Sequence, residues 1–483
     1  MTSKCAPAPA HLFAATWQRQ AVALSLLALI AFELVYLYSG SAPAQMLARG
    51  ATLAFYAVAI SGLGLRERML LTVCLALVTG LVWQGNPGAF WRALDQAAFL
   101  VAFLQTMGLL REAAVRSAAI RDVGAYLTRQ PPKRRNLAVL LGGHAFAMLL
   151  NFGSISLLAP LIQRGVRETT PDPEIARIRE QRQLSALLRG FSWIVVWSPT
   201  TVTQALLVET LPGIDGAVLL GLGLTTTFVM IALAWAEDYA TWRSAGARLR
   251  SSGRLTQSVM PLPRSAALNL AGICGLLIGA MLAIRWAAEV TTVQALMLTG
   301  ILGLISWILL QHAPAGVASA LQRTGRDLKD VAGHAVPSGA RECATLGASG
   351  FIGIASAALV PGENATVWAA ALHPEPALFL IALPLIIVLA AQFALSPIMM
   401  VVFLGSIISA LPTPPADMTL TAFALSCGWA ITMTSAPNAA GALIMARVTG
   451  RPSIELTWRW NLRYSLLAYG LLAVVFTLLA RLW

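Results

Sequence analysis

Residues 375–450 read EPALFLIALPLIIVLAAQFALSPIMMVVFLGSIISALPTPPADMTLTAFALSCGWAITMTSAPNAAGALIMARVTG. Two apolar arms, 377–392 and 397–411, flank the break Phe393-Ala394-Leu395-Ser396-Pro397. At 16 and 15 residues, each arm falls short of the ~20 that a helix needs to cross the hydrocarbon. A longer apolar segment, 418–446, follows and is interrupted by Thr434-Ser435-Ala436-Pro437-Asn438. Unpaired backbone at membrane depth is tolerated only where it is buried in protein or lines a polar cavity. The stretch therefore predicts a re-entrant hairpin followed by a broken helix, with their tips near the membrane midplane. Paired broken helices are the sequence pointer to a transporter binding site.

The first half supplies the partner. Residues 137–163 read LAVLLGGHAFAMLLNFGSISLLAPLIQ, with a polar break at Asn151-Phe152-Gly153-Ser154. Residues 187–210 read LLRGFSWIVVWSPTTVTQALLVET, broken at Ser198-Pro199-Thr200-Thr201. Phe191-Ser192-Trp193 followed by Ser198-Pro199 parallels Cys427-Gly428-Trp429 followed by Ser435-Ala436-Pro437. The order hairpin, broken helix, closing helix occurs twice, which is the mark of an internal repeat.

The 483 residues are 57% hydrophobic and only 11% charged, the composition of a polytopic membrane protein. The formal charge of +13 is not a nucleic-acid footprint, because the basic residues sit in short segments between apolar spans, where they set topology. Cys5, Cys74, Cys274, Cys343 and Cys427 lie mostly in apolar spans without metal-ligand or disulfide spacing, so they are packing residues. Lys4 and Arg19 precede an apolar run that is long for a signal peptide. An uncleaved first span is favoured over cleavage at Ser41-Ala42-Pro43-Ala44.

Spans are expected near 21–38, 46–64, 69–85 and 93–110. Glu33 and Arg49 fall inside the first two, either as functional groups or as residues paired with neighbours. Segment 111–135 carries seven basic residues, including Arg116, Arg135 and Lys133, and its stretch 112–128 has the spacing of a surface helix. Segment 164–186 is basic too. The hairpin 137–163 lies between these two basic segments, so by the positive-inside rule it enters and leaves from the cytoplasm. Spans 187–210 and 214–236 follow, then the basic linker 237–264 with Arg254, spans 265–286 and 291–311, and the basic loop 312–342. From 342 to 446 there is no Lys or Arg, and the loops near 361–376 and 411–417 hold Glu363, Glu375 and Asp417. These loops are expected outside, so hairpin 377–411 enters from outside. Span 343–360 precedes this window's hairpin, and span 460–482 ends the chain.

The expected fold is thus an all-α polytopic membrane protein of about 11 transmembrane helices plus two re-entrant hairpins in an inverted repeat. A first segment, 1–45, precedes repeat 1 at 46–236, and the linker 237–264 leads to repeat 2 at 265–482. The N-terminus is expected in the cytoplasm and the C-terminus outside, in a bacterial inner membrane.

This architecture resembles the ion-transporter superfamily, most closely the divalent-anion/sodium symporter family, and is similar to the membrane subunit of tripartite periplasmic transporters. The resemblance spans nearly the whole chain. That family carries Ser-Asn-Thr at its hairpin tips and helix breaks. Here the tips are Asn151-Phe152-Gly153-Ser154 and Ser396-Pro397, and no Ser-Asn-Thr is present. The resemblance implies secondary transport by an elevator motion in a homodimer, with the early spans of each repeat as scaffold and the hairpins and broken helices moving.

Helix breaks expose free N–H groups at one end and free carbonyls at the other. The N-terminal ends suit an anion, and carbonyls with hydroxyls suit Na⁺. A site built this way needs no Lys or Arg at the midplane. The candidate substrate- or cation-binding residues are Asn151, Gly153, Ser154, Ser198, Thr200, Thr201, Ser396, Thr434, Ser435 and Asn438. The bland alternative is that such small polar residues are packing glue between helices. Trp193, Trp197 and Trp429 are candidates for shaping a pocket. His144 is a candidate proton carrier, since an unperturbed imidazole titrates near ~6.5. Gly347-Ala348-Ser349-Gly350 has the look of small-residue packing.

The function expected is secondary active transport of a small organic or inorganic anion, carboxylate-like, coupled to Na⁺ or H⁺, with no catalysis and no cofactor. Na⁺ is favoured, because Glu209 is the only acid in the hairpins and broken helices. An intramembrane enzyme acting on a lipid-linked substrate is the competing class. It would need charged catalytic residues at the membrane face, and the external loops here are short and nearly uncharged. The expected partners are the anion, the bilayer and a second copy of the chain, without nucleic acid.

Overall fold

The computed structural model describes residues 15–115, 117–251, 261–360 and 375–483. Lys4, Cys5, Arg116, Arg254 and Glu363 lie outside them. All regular elements among the described residues are helical. The fold is that of an all-α polytopic membrane protein. Among the described residues, seven helices are long and apolar enough to cross a membrane. They coincide with seven of the eleven expected spans. Of the other four, two are the broken helices, whose second halves are only 9 and 10 residues long. Another, α2 (Ala42–Ala59), carries Gln45 and Arg49, and the last, α3 (Leu65–Trp83), begins with Arg66, Glu67 and Arg68.

The chain divides into two compact units. One comprises Met1–Glu112 with Ile284–Leu359, the other Ala113–Ala283 with Val360–Trp483. Each therefore takes pieces from both halves.

In the first unit, α1 (Thr16–Ser39) packs on α2 and on α12 (Thr292–His312), and α3 packs on α14 (Ala340–Leu359). Arg49 is paired, as one of its two readings had it. Its Nε and Nη2 donate to the two carboxylate oxygens of Asp95 on α4 (Pro87–Val115) at 2.7 and 2.8 Å, and its guanidinium stacks over Trp91. Glu33 is buried on α1. The Gly347–Gly350 run is small-residue packing. A Cβ at Gly347 would meet Tyr56 Oη at 2.4 Å, and one at Gly350 would meet Leu100 Cδ1 at 2.3 Å. Cys74, Cys343 and Cys427 are buried thiols, in line with packing roles. Loop 312–342 is largely helical, with α13 (Val317–Asp330) at its centre.

The second unit opens with α5 (Ala118–Thr128), which packs on both arms of the first hairpin. Those arms are α6 (Pro132–Leu150) and α7 (Gly153–Thr169). The first broken helix is α8 (Pro173–Ser192), a 3₁₀ turn Trp193–Val196, and α9 (Val202–Thr210). Closing helix α10 (Gly216–Ser251) follows. α11 (Arg264–Ala288) shows almost its whole surface, including Leu268, Leu276, Leu282 and Trp286, as a lipid-facing helix does. The second hairpin is α15 (Pro376–Gln392) and α16 (Pro397–Ser409). The second broken helix is α17 (Met418–Ser435) and α18 (Ala440–Thr449), and α19 (Leu462–Leu482) closes the chain.

The polar segment 164–186, expected as a loop, is helical apart from 170–172. α7 runs on because its buried residues Ile155, Leu158, Ala159, Ile162 and Val166 keep helical spacing past Arg164. Both broken helices begin on an aspartate cap. Asp172 accepts from the N–H groups of Glu174 and Ile175, and Asp417 from those of Thr419 and Leu420. Such a cap stabilises a helix start by ~1 kcal/mol.

Candidate functional site

The hairpins and broken helices pair reciprocally. The first arm of each hairpin lies along the first half of the broken helix that follows it: α6 on α8, and α15 on α17. The second arm lies along the second half of the other broken helix: α7 on α18, and α16 on α9. Glycines allow the first-arm pairings. A Cβ at Gly190 would stand 2.2 Å from Leu140 O, and one at Gly428 would stand 2.8 Å from Pro384 Cα. No backbone atom can yield that much, so only glycine brings these helices so close.

Each hairpin turns on a non-glycine residue with positive φ, Asn151 (48°) in the first and Ala394 (64°) in the second. Asparagine tolerates this region better than alanine, which has no polar side chain to offset the Cβ clash. In the first tip, Asn151 O accepts from Ser154 Oγ at 2.7 Å and from Ser154 N at 3.0 Å. Ser154 is fully buried.

The first tip and the first break meet. Thr200 Oγ1 donates to Met148 O, in the last turn of α6, at 3.0 Å. Ser198 Oγ and Thr200 Oγ1 lie 2.8 Å apart, and Thr201 Oγ1 donates to Ser198 O at 2.8 Å. Gln204, from beyond the break, donates to Val195 O at 2.9 Å and so satisfies a carbonyl that the broken ladder leaves free. His144 closes the same corner. Its Nδ1 is 2.8 Å from Gly190 O, and Trp197 Nε1 donates to its Nε2 at 3.1 Å. A carbonyl accepts and an indole donates, so this pair of contacts fits a neutral imidazole protonated on Nδ1.

At the second break, Thr434 Oγ1 and Ser465 Oγ lie 2.8 Å apart. Ser435 is 5% exposed, and its Oγ meets no hydrogen-bond partner. Trp429 is 4% exposed, and its Nε1–H is likewise unmatched. Trp193, its counterpart in the first half, donates instead to Tyr464 Oη at 2.6 Å. Asn438 is exposed, and Ser396 is half-buried beside the exposed Phe393. Neither Ser396 nor Asn438 has a side-chain hydrogen bond to the other candidates. α17 packs against the 3₁₀ turn of the first broken helix, so the two broken helices adjoin. Both post-break helices, α9 and α18, start without a side-chain cap. Their first N–H groups carry the positive end of a helix dipole.

The first broken helix does carry one buried basic residue, ahead of its break. Arg189, on α8, is 5% exposed and pairs with Glu237 on α10 at 2.7 Å. A single basic residue inside the apolar run LLRGFSW was the available signal. At the other end of the first hairpin, burial and the charges of Arg179 and Arg182 push Arg135 down to about 9. Burial, together with Arg129, pushes Arg179 down to about 10.

No family model matches this chain, and neither does any curated protein. Among solved structures, the fold is similar to that of the YdaH transporter of Alcanivorax borkumensis, whose crystal structure is described as having an unusual topology. The TM-score is 0.55 over 84% of this chain and 97% of that one, at 15% identity. At that identity the likeness concerns the fold.

Proposed function

We propose that this chain is a secondary active transporter of a small, carboxylate-like or inorganic anion, coupled to a cation and working by an elevator motion. The observation that carries the reading is the reciprocal pairing of two hairpins with two broken helices, with hydroxyl-bearing breaks between them. The likeness in fold to a transporter supports transport as the class of activity and gives no support to an enzyme. Uncapped helix starts at α9 and α18 would receive the anion. Hydroxyls and freed carbonyls of Ser198, Thr200, Thr201, Thr434 and Ser435 would receive Na⁺ without a carboxylate. The unit that holds both hairpins would move, and the unit that holds the early spans would stay fixed, as in the divalent-anion/sodium symporters that the sequence resembles. A homodimer in a bacterial inner membrane, with the N-terminus in the cytoplasm and the C-terminus outside, completes the reading.

Na⁺ is preferred to H⁺, because both ring nitrogens of His144 are already engaged. The test is uptake into proteoliposomes of a panel of labelled mono- and dicarboxylates and inorganic anions, driven by a Na⁺ gradient or a pH gradient. Na⁺-driven accumulation of at least one anion is expected. Accumulation under neither gradient would overturn the reading.

A further inference from the structure

We infer that Arg189 is a positioning residue that fixes the last helical turn before the second break, through Asn461 and Ser465. This inference rests on the breaks being the working site, as proposed above. A buried guanidinium is tolerated only when its charge is paired and its N–H groups are bonded. Glu237, 8% exposed, supplies the charge, with its Oε2 2.7 Å from Arg189 Nη1. If neutralisation were the whole role, that contact would be enough. Arg189 also reaches the junction before α19. Its Nε donates to Asn461 Oδ1 at 2.7 Å, its Nη2 donates to Trp460 O at 3.3 Å, and its guanidinium lies 4.6 Å over the Tyr464 ring.

From that junction the polar chain continues to the second break. Ser465 Oγ donates to Asn461 O at 3.0 Å and shares a hydrogen bond of 2.8 Å with Thr434 Oγ1. Thr434 is the penultimate residue of α17, where the helix stops. The first broken helix is held on the same junction a second time, by Trp193 Nε1 on Tyr464 Oη. Thus both broken helices are registered on 460–465: the first by Arg189 and Trp193, the second by Thr434. Lysine could keep the charge, but it lacks the planar fork that serves Glu237, Asn461 and Trp460 together. Arg182, about two turns earlier on the same face of α8, provides a control. It pairs with Asp238 on α10 at 2.6 Å, and none of its bonds leads to Asn461 or Ser465.

The test is hydrogen–deuterium exchange of the full-length protein in detergent micelles, following the amides of 430–436. Arg189→Lys and Ser465→Ala are each expected to speed exchange there tenfold or more. Ser465→Thr, which keeps the hydroxyl, should restore the wild-type rate, and Arg182→Lys should leave it unchanged. The Na⁺ concentration for half-maximal uptake should rise severalfold in Ser465→Ala without a change in melting temperature. Wild-type exchange at 430–436 in Ser465→Ala, or in folded Arg189→Lys, would overturn the role. Should Arg189→Lys not fold, Ser465→Ala decides, because it leaves both charges paired. Exchange requires no substrate. A chain that transports nothing yet shows the tenfold change would overturn the proposed function and keep the link from Arg189 to the break.

Discussion

Thr200 Oγ1 donates to Met148 O at 3.0 Å, joining the first helix break to the last turn of the first hairpin arm. The residues are 52 apart in sequence, and the bond holds two interrupted helices tip to break. Thr200→Val keeps the shape and removes the donor. A partly buried hydrogen bond lost in this way costs roughly 1–3 kcal/mol when its acceptor is left unpaired. Transport should fall by about 5- to 150-fold in apparent affinity, as that energy implies. Uptake kinetics beside a melting curve check this, and an unchanged apparent affinity would assign the bond to packing alone.

Glycine at 190 and 428 allows each hairpin to lie against its broken helix. Gly190→Ala would put a methyl 2.2 Å from Leu140 O, and Gly428→Ala would put one 2.8 Å from Pro384 Cα. Overpacking of a well-packed contact costs ~1–3 kcal/mol, or more where backbone has to shift. Gly190→Ala is expected to be the worse of the two. Thermal unfolding in detergent gives the order, and equal, wild-type melting for both would contradict the close approach.

The second hairpin turns at Ala394, with φ 64°. Left-handed backbone costs an L-residue roughly 1–2 kcal/mol, and glycine escapes that cost. Ala394→Gly should therefore stabilise the protein by up to ~1 kcal/mol, after glycine's greater unfolded-state entropy is allowed for. The melting temperature reports it, and a fall would mean that the turn has another conformation.

His144 sits between Gly190 O and the Trp197 indole N–H, with both ring nitrogens engaged. Protonating Nε2 would set two donors against each other. His144→Gln is therefore expected to reduce stability and uptake while leaving the shape of the pH–uptake profile unchanged. A profile that loses its alkaline or acidic limb in this variant would return His144 to the role of proton carrier.

Much of this architecture was legible from local chemistry. Ser396-Pro397 and the polar run 151–154 marked the hairpin turns, because proline and small polar residues stop apolar helices. The breaks at Ser198-Pro199 and Ala436-Pro437 were visible for the same reason. Helix lengths were less legible, since α7 continues into charged sequence where one face still packs. The role of Arg189 is not legible locally, because its partners, Glu237 and Asn461, are 48 and 272 residues away. Nothing local announces such a contact. Ser396 and Asn438 matched the expected residue types, yet Asn438 is exposed and neither bonds to the other candidates. Composition fixes the type of side chain at a tip, while tertiary packing decides where it points.

The most direct test of the central claim is uptake by Ser198→Ala and Ser435→Ala against wild type, in proteoliposomes at fixed pH, with Na⁺ present or replaced by choline. Ser198 is fully buried in the first break, and Ser435 Oγ is a buried hydroxyl with no protein partner in the second. The account predicts Na⁺-dependent uptake in the wild type. Each variant should keep the wild-type melting temperature and require about 5- to 150-fold more Na⁺ or anion for half-maximal rate, as the loss of one oxygen ligand implies. Wild-type concentration dependence in both variants, or full uptake in choline, would contradict it.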